Sequence, residues 1–265
     1  MPVTVNSEIV RLTQSEFSDV VYSLMSEVFL LHNEMGSLFN EQVYHKILKK
    51  RVSNLETEVM ITVSFKHFSK KYYIDLLAAK GAILELKSVA KLNTSHRIQL
   101  LNYLLLTSLN HGKLINFGSR RVEHEFINTT ITQEERKSFT VDDSQWKVSE
   151  GFNSSSKQLL TEAVSDWGTC LIRPLYKEAF LSLLGITCPD THKIEIYQLS
   201  EIIASQHIPL FSQNTAIKVT TLEHDLTTYH KDLSKFLNHT TLETIQWINI
   251  ARKKVTFTTL TKPCS

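Results

Sequence analysis

The stretch from residue 72 to residue 103, YYIDLLAAKGAILELKSVAKLNTSHRIQLLNY, organises the chain. Two short apolar runs flank Lys80-Gly81, a pattern that predicts two antiparallel strands joined by a tight turn. With the turn centred on Lys80, Asp75 and Glu85 are equidistant from the centre and face each other across the hairpin. Facing residues have Cβ atoms roughly 4.5–5.5 Å apart, so two carboxylates among Ile, Leu and Ala repel and weaken the pairing. A divalent cation between them turns that repulsion into a binding site. Glu85 and Lys87 leave one face of their strand, while Leu84 and Leu86 leave the other. Two carboxylates and an ammonium on one face can hold Mg²⁺, activate water and stabilise negative charge developing on a phosphate. A Glu-x-Lys pair alone is an ordinary solvated strand face, and the aspartate opposite makes the group specific.

Upstream, Thr13 and Glu16 make a capping box for a helix carrying Phe17, Val20, Val21, Leu24, Val28 and Leu31 at helical spacing. The segment NEMGSLFNEQVYHKILKK interrupts that helix at Gly36 and resumes it, with Glu41 and Tyr44 on one face. Residues 58–65 alternate as a strand. Downstream, Asn93 or Thr94 caps a helix through Leu109 on which Gln99 and Tyr103 stack at i, i+4, and KLINF (113–117) reads as a short strand. The order α, β, β, β, α, β predicts an α/β (α+β) fold, a mixed sheet flanked by helices.

Composition bounds the rest. A length of 265 residues allows one large or two ordinary domains, and 42% hydrophobic with 21% charged residues describes a soluble chain with a core. The net charge of +2 gives no global basic field, so any nucleic-acid surface is local. Cys170, Cys188 and Cys264 are odd in number and lack a CxxC pair, which fits a reducing compartment, and the cytoplasm is the expected location. No apolar run approaches membrane length, no leader pattern opens the chain, and neither GxxxxGK[ST] nor GxGxxG is present. His32 and His96 read as structural histidines. The basic runs at Lys49-Lys50-Arg51, Lys70-Lys71 and Arg120-Arg121 read as solvated surface that could touch phosphates.

The residues resemble the PD-(D/E)xK nuclease superfamily and, within it, the GxxExxY proteins, whose segment H-x-x-L-G-x-G-x-x-E-x-x-Y is matched from His32 to Tyr44. Glu41 and Tyr44 are kept, Met35 replaces the usual Leu, and Leu38 stands where a second glycine is usual. Asp75, Glu85 and Lys87 match D…ExK, and Gln99 with Tyr103 matches the Q-x-x-x-Y motif of RecB-type nucleases. The resemblance covers about residues 10–125 and implies a restriction-endonuclease-like αβββαβ core acting as a metal-dependent DNA phosphodiesterase. By position it implies Asp75, Glu85, the Leu86 carbonyl and Glu41 as ligands of Mg²⁺ or Mn²⁺. It further implies Lys87 as the group orienting water and stabilising the transition state, and Gln99 and Tyr103 as substrate-positioning residues.

The second half echoes the first. Residues 138–157 read as a polar linker or insertion, after which Gly168 precedes Tyr176 by the interval that separates Gly36 from Tyr44. LETIQWINIARKKVTF likewise echoes QLLNYLLLTSLNHGKLINF. Aligned so, Arg173 replaces Glu41, and Pro209, Val219 and Thr221 replace Asp75, Glu85 and Lys87, with His239 and Glu243 at the places of Gln99 and Tyr103. Such a copy holds no metal. His224, Asp225, His230 and Asp232 match no zinc spacing and read as a polar loop or exposed helix.

The expectation is therefore a nuclease-like domain over residues 1–130 and a second α/β domain over 150–265, a degenerate repeat that assists substrate binding or forms an internal pseudo-dimer. DNA is the expected partner, with RNA and homo-oligomerisation left open and no membrane. The alternative is a non-catalytic nucleic-acid-binding or scaffold protein on a nuclease fold.

Overall fold

A computed structural model describes residues 2–149, 152–186 and 193–262. The chain divides into two compact units, Met1–Ser64 with Ser69–Gln133, and Phe65–Phe68 with Glu134–Ser265.

The first unit contains β1 (Val3–Val5), α1 (Gln14–Met35), α2 (Glu41–Arg51), β2 (Leu55–Phe65), β3 (Phe68–Ala78), β4 (Ala82–Lys87), α3 (Thr94–Thr107), β5 (His111–Asn116) and β6 (Glu123–Asn128). Its strands form one sheet in the order β1-β2-β3-β4-β5-β6. β3 and β4 pair antiparallel, with Leu76 opposite Leu84 and Ala78 opposite Ala82, the register expected for a turn centred on Lys80. β4 and β5 run parallel, which requires a crossover, and α3 supplies it. β6 then pairs antiparallel with β5. The result is a mixed sheet flanked by helices, a restriction-endonuclease-like architecture.

Local chemistry sets the helix ends. Thr13 and Glu16 form the capping box of α1, and Asn40 caps α2 by accepting from the Val43 amide. α1 stops at Gly36, whose φ of 72° suits glycine because a Cβ there is costly. The Tyr44 hydroxyl donates to the Gly36 carbonyl at 2.7 Å, and its ring stacks on Phe117 with centroids 4.1 Å apart. Phe17, Val21, Leu24, Val28 and Leu31 of α1 share one core with Leu76, Leu84, Leu86 and Ile115 of the sheet. Each such burial stabilises by roughly 1.5–3 kcal/mol, so α1 clamps the apolar face of β4 and leaves its other face for Glu85 and Lys87.

The second unit contains α4 (Gln133–Lys137), β7 (Thr140–Gln145), α5 (Ser154–Trp167), α6 (Arg173–Leu183), β8 (Lys193–Gln198), β9 (Glu201–His207), β10 (Leu210–Ser212), β11 (Thr215–Thr220), α7 (Leu226–Asn238), β12 (Thr244–Ile250) and β13 (Lys254–Thr261). β8 and β9 form a hairpin of their own, and the remaining strands order as β10-β11-β12-β13-β7. Residues 140–145 and 154–157, read as part of a linker or an insertion, are therefore not a linker. They supply β7, parallel to β13, and the start of α5. β7 is polar because it is a sheet edge, where charge is tolerated and Lys254 pairs with Asp142 at 2.7 Å.

The two sheets repeat a pattern. β10–β11 is antiparallel, β11–β12 parallel across α7, and β12–β13 antiparallel, as in β3–β4, β4–β5 and β5–β6. Ile83 faces Gly112 in the first unit, and Ala216 faces Ile245 in the second, each 133 residues further on. The Asn116 side chain clamps the Val89 amide and carbonyl at 3.0 and 2.8 Å, and Asn249 clamps those of Leu222 at 2.8 and 2.9 Å. Gly168, at φ 83°, ends α5, and its carbonyl accepts from the Tyr176 hydroxyl at 2.6 Å. Among the described residues no helix is long and apolar enough to cross a membrane. Cys170 is unpaired, and Cys188 and Cys264 lie outside the described residues.

Candidate active site

Four expected side chains meet beside the C-terminal end of β4, delivered by three elements. Asp75 comes from β3, Glu85 and Lys87 from β4, and Glu41 from the first turn of α2. The Lys87 ammonium lies 2.5 Å from Glu85 Oε1, 3.8 Å from Asp75 Oδ2 and 4.0 Å from Glu41 Oε2. Asp75 Oδ2 also accepts from the Leu86 amide at 2.8 Å, so the contact at Leu86 is made by its N–H. Glu41 Oε1 accepts from the Ser88 amide at 3.3 Å.

Burial sets the electrostatics. Glu85 is wholly buried, and burial, reinforced by the Asp75 charge, pushes it up to about 8 against the pull of Lys87. Burial also raises Asp75, opposed by Lys87 and then by His45. Lys87 feels burial pulling its own value down, but Glu85, Asp75 and Glu41 together hold it above the ordinary lysine range. Buried charges of this kind persist only when paired.

Gln99 and Tyr103 are together on α3, with the Gln99 amide nitrogen donating to the Tyr103 hydroxyl at 3.0 Å. Burial first, and the nearby Glu85 second, raise Tyr103 to about 12. It therefore stays protonated and can donate a hydrogen bond. His96 caps α3 by accepting from the Asn93 amide, and His32 bonds the Ser119 carbonyl, so both are structural.

One site residue was not singled out from the sequence. His45 is buried, with Nε2 3.9 Å from Asp75 Oδ2 and no hydrogen-bond partner. Its signal was its place four residues after Glu41 on a helix, which puts both on one face.

The donor set suits a hard divalent cation, since Glu41, Asp75 and Glu85 offer carboxylate oxygens. Glu85 Oε2 is buried without a hydrogen-bond partner, an oxygen that such a cation would satisfy. In this conformation Lys87 supplies the compensating charge, and among the described residues no three Asp, Glu, His or Cys groups are gathered in metal-binding geometry.

A mixed sheet whose antiparallel strand and parallel strand bring D and ExK side chains together defines a nuclease-type domain. The family model of the PD-(D/E)XK nuclease superfamily matches residues 18–129, which cover most of the first unit. A solved structure, "Crystal structure of SSO0001", is similar over 46% of this chain and 61% of its own, at 21% identity and a TM-score of 0.28. The chain thus spans less than two thirds of that structure's length. No curated protein matches the sequence significantly.

In the second unit the strand registers correct the expected correspondence by one residue. Lys218 and Thr220, rather than Val219 and Thr221, stand at the places of Glu85 and Lys87. Leu210 pairs with Ala216, which carries Ile208, rather than Pro209, to the place of Asp75 opposite Lys218. His239 is the C-cap of α7, so the places of Gln99 and Tyr103 fall to Asp232 and Phe236. Arg173 opens α6 as Glu41 opens α2. The slip arose because no carboxylate stands on β10 or β11 to match Asp75 and Glu85, and the Asn249 clamp is a tertiary contact.

Proposed function

We propose that residues 1–130 form a divalent-metal-dependent nuclease domain of the GxxExxY group, acting on phosphodiester bonds of DNA in the cytoplasm. Residues 150–265 form a degenerate copy that assists substrate binding or packs as an internal pseudo-dimer. The observation that carries the reading is the convergence of Glu41, Asp75, Glu85 and Lys87 beside β4, with one Glu85 oxygen buried and unpartnered.

Asp75, Glu85 and Glu41 are the side chains that would hold Mg²⁺ or Mn²⁺, with the Leu86 carbonyl as a further ligand. Such an ion, when bound, supplies Lewis-acid charge and lowers the pKa of a coordinated water. Lys87 stays protonated in this setting. Its contribution is a fixed positive charge for the oxygens of a phosphate on which negative charge grows. Gln99 and Tyr103 offer an amide and a protonated hydroxyl with which to orient that phosphate.

The test is cleavage of linear and circular DNA, single- and double-stranded, with Mg²⁺ or Mn²⁺. Activity in wild type that is lost in both Glu85→Ala and Lys87→Ala supports the assignment, and the linear-versus-circular comparison separates exonuclease from endonuclease. A wild type that cuts none of these substrates overturns it. A second reading, a non-catalytic binding or scaffold module, is favoured by the direct Lys87–Glu85 contact, in which the protein's own ammonium neutralises the carboxylates. It predicts no cleavage and DNA binding indifferent to both EDTA and Glu85→Ala.

A further inference from the structure

The second unit has lost the carboxylates of the first: Ile208 takes the place of Asp75, and cations take the places of Glu41 and Glu85. Arg173 stands for Glu41 and Lys218 for Glu85, while Lys177 stands four residues after Arg173 as His45 stands after Glu41. All three cations line one cavity of about 330 Å³, whose walls include Ile208, Tyr229 and Phe236. Lys218 is half-buried there, and burial together with the nearby Arg173 charge lowers its pKa. Among the described residues none of the three makes an ion pair. The one carboxylate of the lining, Asp232, already lies 3.4 Å from Lys235.

Lys177 and Lys218 are half-buried beside the exposed Arg173, whose charge acts against Lys218, and such cations without a paired carboxylate are costly unless an anion joins them. Arg173 in the lining is the first residue of α6, and the dipole of that helix favours negative charge near it. Arginine and lysine donors suit a phosphate, and the Tyr229 and Phe236 rings beside them suit an unstacked base.

We propose that this cavity binds a backbone phosphate of single-stranded nucleic acid without any metal, an inversion of the site on the same frame in the first unit. The identity of the anion as a nucleic-acid phosphate rests on the nuclease reading, whereas the site itself rests on the cations and the cavity.

Binding of a fluorescent single-stranded DNA oligonucleotide to the full chain, followed by anisotropy in EDTA, tests it apart from cleavage. Wild type is expected to bind, and Arg173→Gln and Lys218→Met each to weaken binding about tenfold and lower the salt slope by about 1. Lys218→Arg keeps the charge and is expected to retain binding, while Lys137→Gln, an exposed charge on α4, is expected to bind as wild type. Thermal unfolding of each variant shows that it is folded, and Arg173 is exposed, so its replacement carries the test should Lys218→Met fail to fold. Wild-type binding that is absent in EDTA, or unchanged in both charge-removing variants, overturns the proposal. So does an oligonucleotide that does not bind while inorganic phosphate binds wild type but not Lys218→Met. A wild type that cuts no DNA but keeps this binding would sink the nuclease reading and leave the site standing.

Discussion

The same β-α-β frame occurs twice in this chain with opposite electrostatics at the same place. At the end of β4, Asp75, Glu85 and Glu41 surround the Lys87 ammonium, and one Glu85 oxygen is left without a partner. At the end of β11 the corresponding positions are Ile208, Lys218 and Arg173, and Thr220 stands in the place of Lys87. The frame itself is kept by apolar packing, by a glycine at positive φ bonded to a tyrosine hydroxyl, and by an asparagine clamp. None of those contacts involves the site carboxylates. A fold of this kind therefore holds together without its chemistry, and the chemistry is free to diverge.

The sharpest way to break the comparison is to change the strand position at which a lysine in one unit is a threonine in the other. Lys87→Ala removes a charge aimed at the site, and cleavage under single-turnover conditions is expected to fall by about 10²–10³-fold or more. Thr220 instead donates to Asn249 Oδ1 at 2.7 Å and accepts from Trp247 Nε1 at 2.8 Å, both buried. Thr220→Val is expected to cost about 1–3 kcal/mol in urea unfolding, because the indole N–H loses its partner. It is also expected to leave the cleavage rate of the folded protein as it was. A rate loss in Thr220→Val matching that of Lys87→Ala would contradict the division of labour.

pH sharpens it next. Glu85 is raised from an ordinary 4.5 to about 8, so the fold binds its proton more tightly than the unfolded chain does. Its contribution to stability is fully present below pH 4.5 and is lost as pH rises through about 8. Urea unfolding of metal-free protein across that window is expected to show the decline, with Glu85→Gln flattening it. A wild-type curve as flat as that of the variant would mean that Glu85 is ionised at ordinary pH. Smaller still is the α3 pair. Tyr103→Phe and Gln99→Ala are each expected to slow cleavage about tenfold, the scale of a lost orienting contact. An unchanged rate in both would assign them to bracing alone.

The least expected difference is between the two tyrosines. Tyr44→Phe and Tyr176→Phe each delete one hydroxyl bonded to a glycine carbonyl, at 2.7 and 2.6 Å. Both should cost about 0.5–1.5 kcal/mol by denaturant unfolding. A large inequality would mean that the two corners are not equivalent.

Much of this was legible because it is local. The register of the β3–β4 hairpin follows from the turn at Lys80-Gly81, and the start of α1 follows from Thr13 and Glu16. The Gly–Tyr interval of eight residues, visible in the sequence, is the spacing at which both tyrosine hydroxyls bond the glycine carbonyls. What escaped depends on partners distant in sequence. β7 reads as a polar linker because its edge position, paired only with β13, lets Asp142 and Asp143 sit on a strand. His45 joins the site only because the fold brings Asp75, thirty residues further on, to within 3.9 Å of it. The second-unit alignment slipped by one because a bulge between Leu210 and Ser212 breaks the spacing and β11, TAIKVT, carries no carboxylate to match to Glu85. That slip hid Lys218, and with it the positive charge at the place of Glu85.

The account turns on the first site taking a divalent cation through its buried carboxylates. Mn²⁺ titration of the full-length protein, read by electron paramagnetic resonance of the free ion, tests that most directly. The account predicts that wild type takes up Mn²⁺, that Asp75→Asn and Glu85→Gln abolish the uptake, and that Lys218→Met leaves it in place. A wild type that binds no Mn²⁺, or one whose uptake survives both carboxylate replacements, would contradict it.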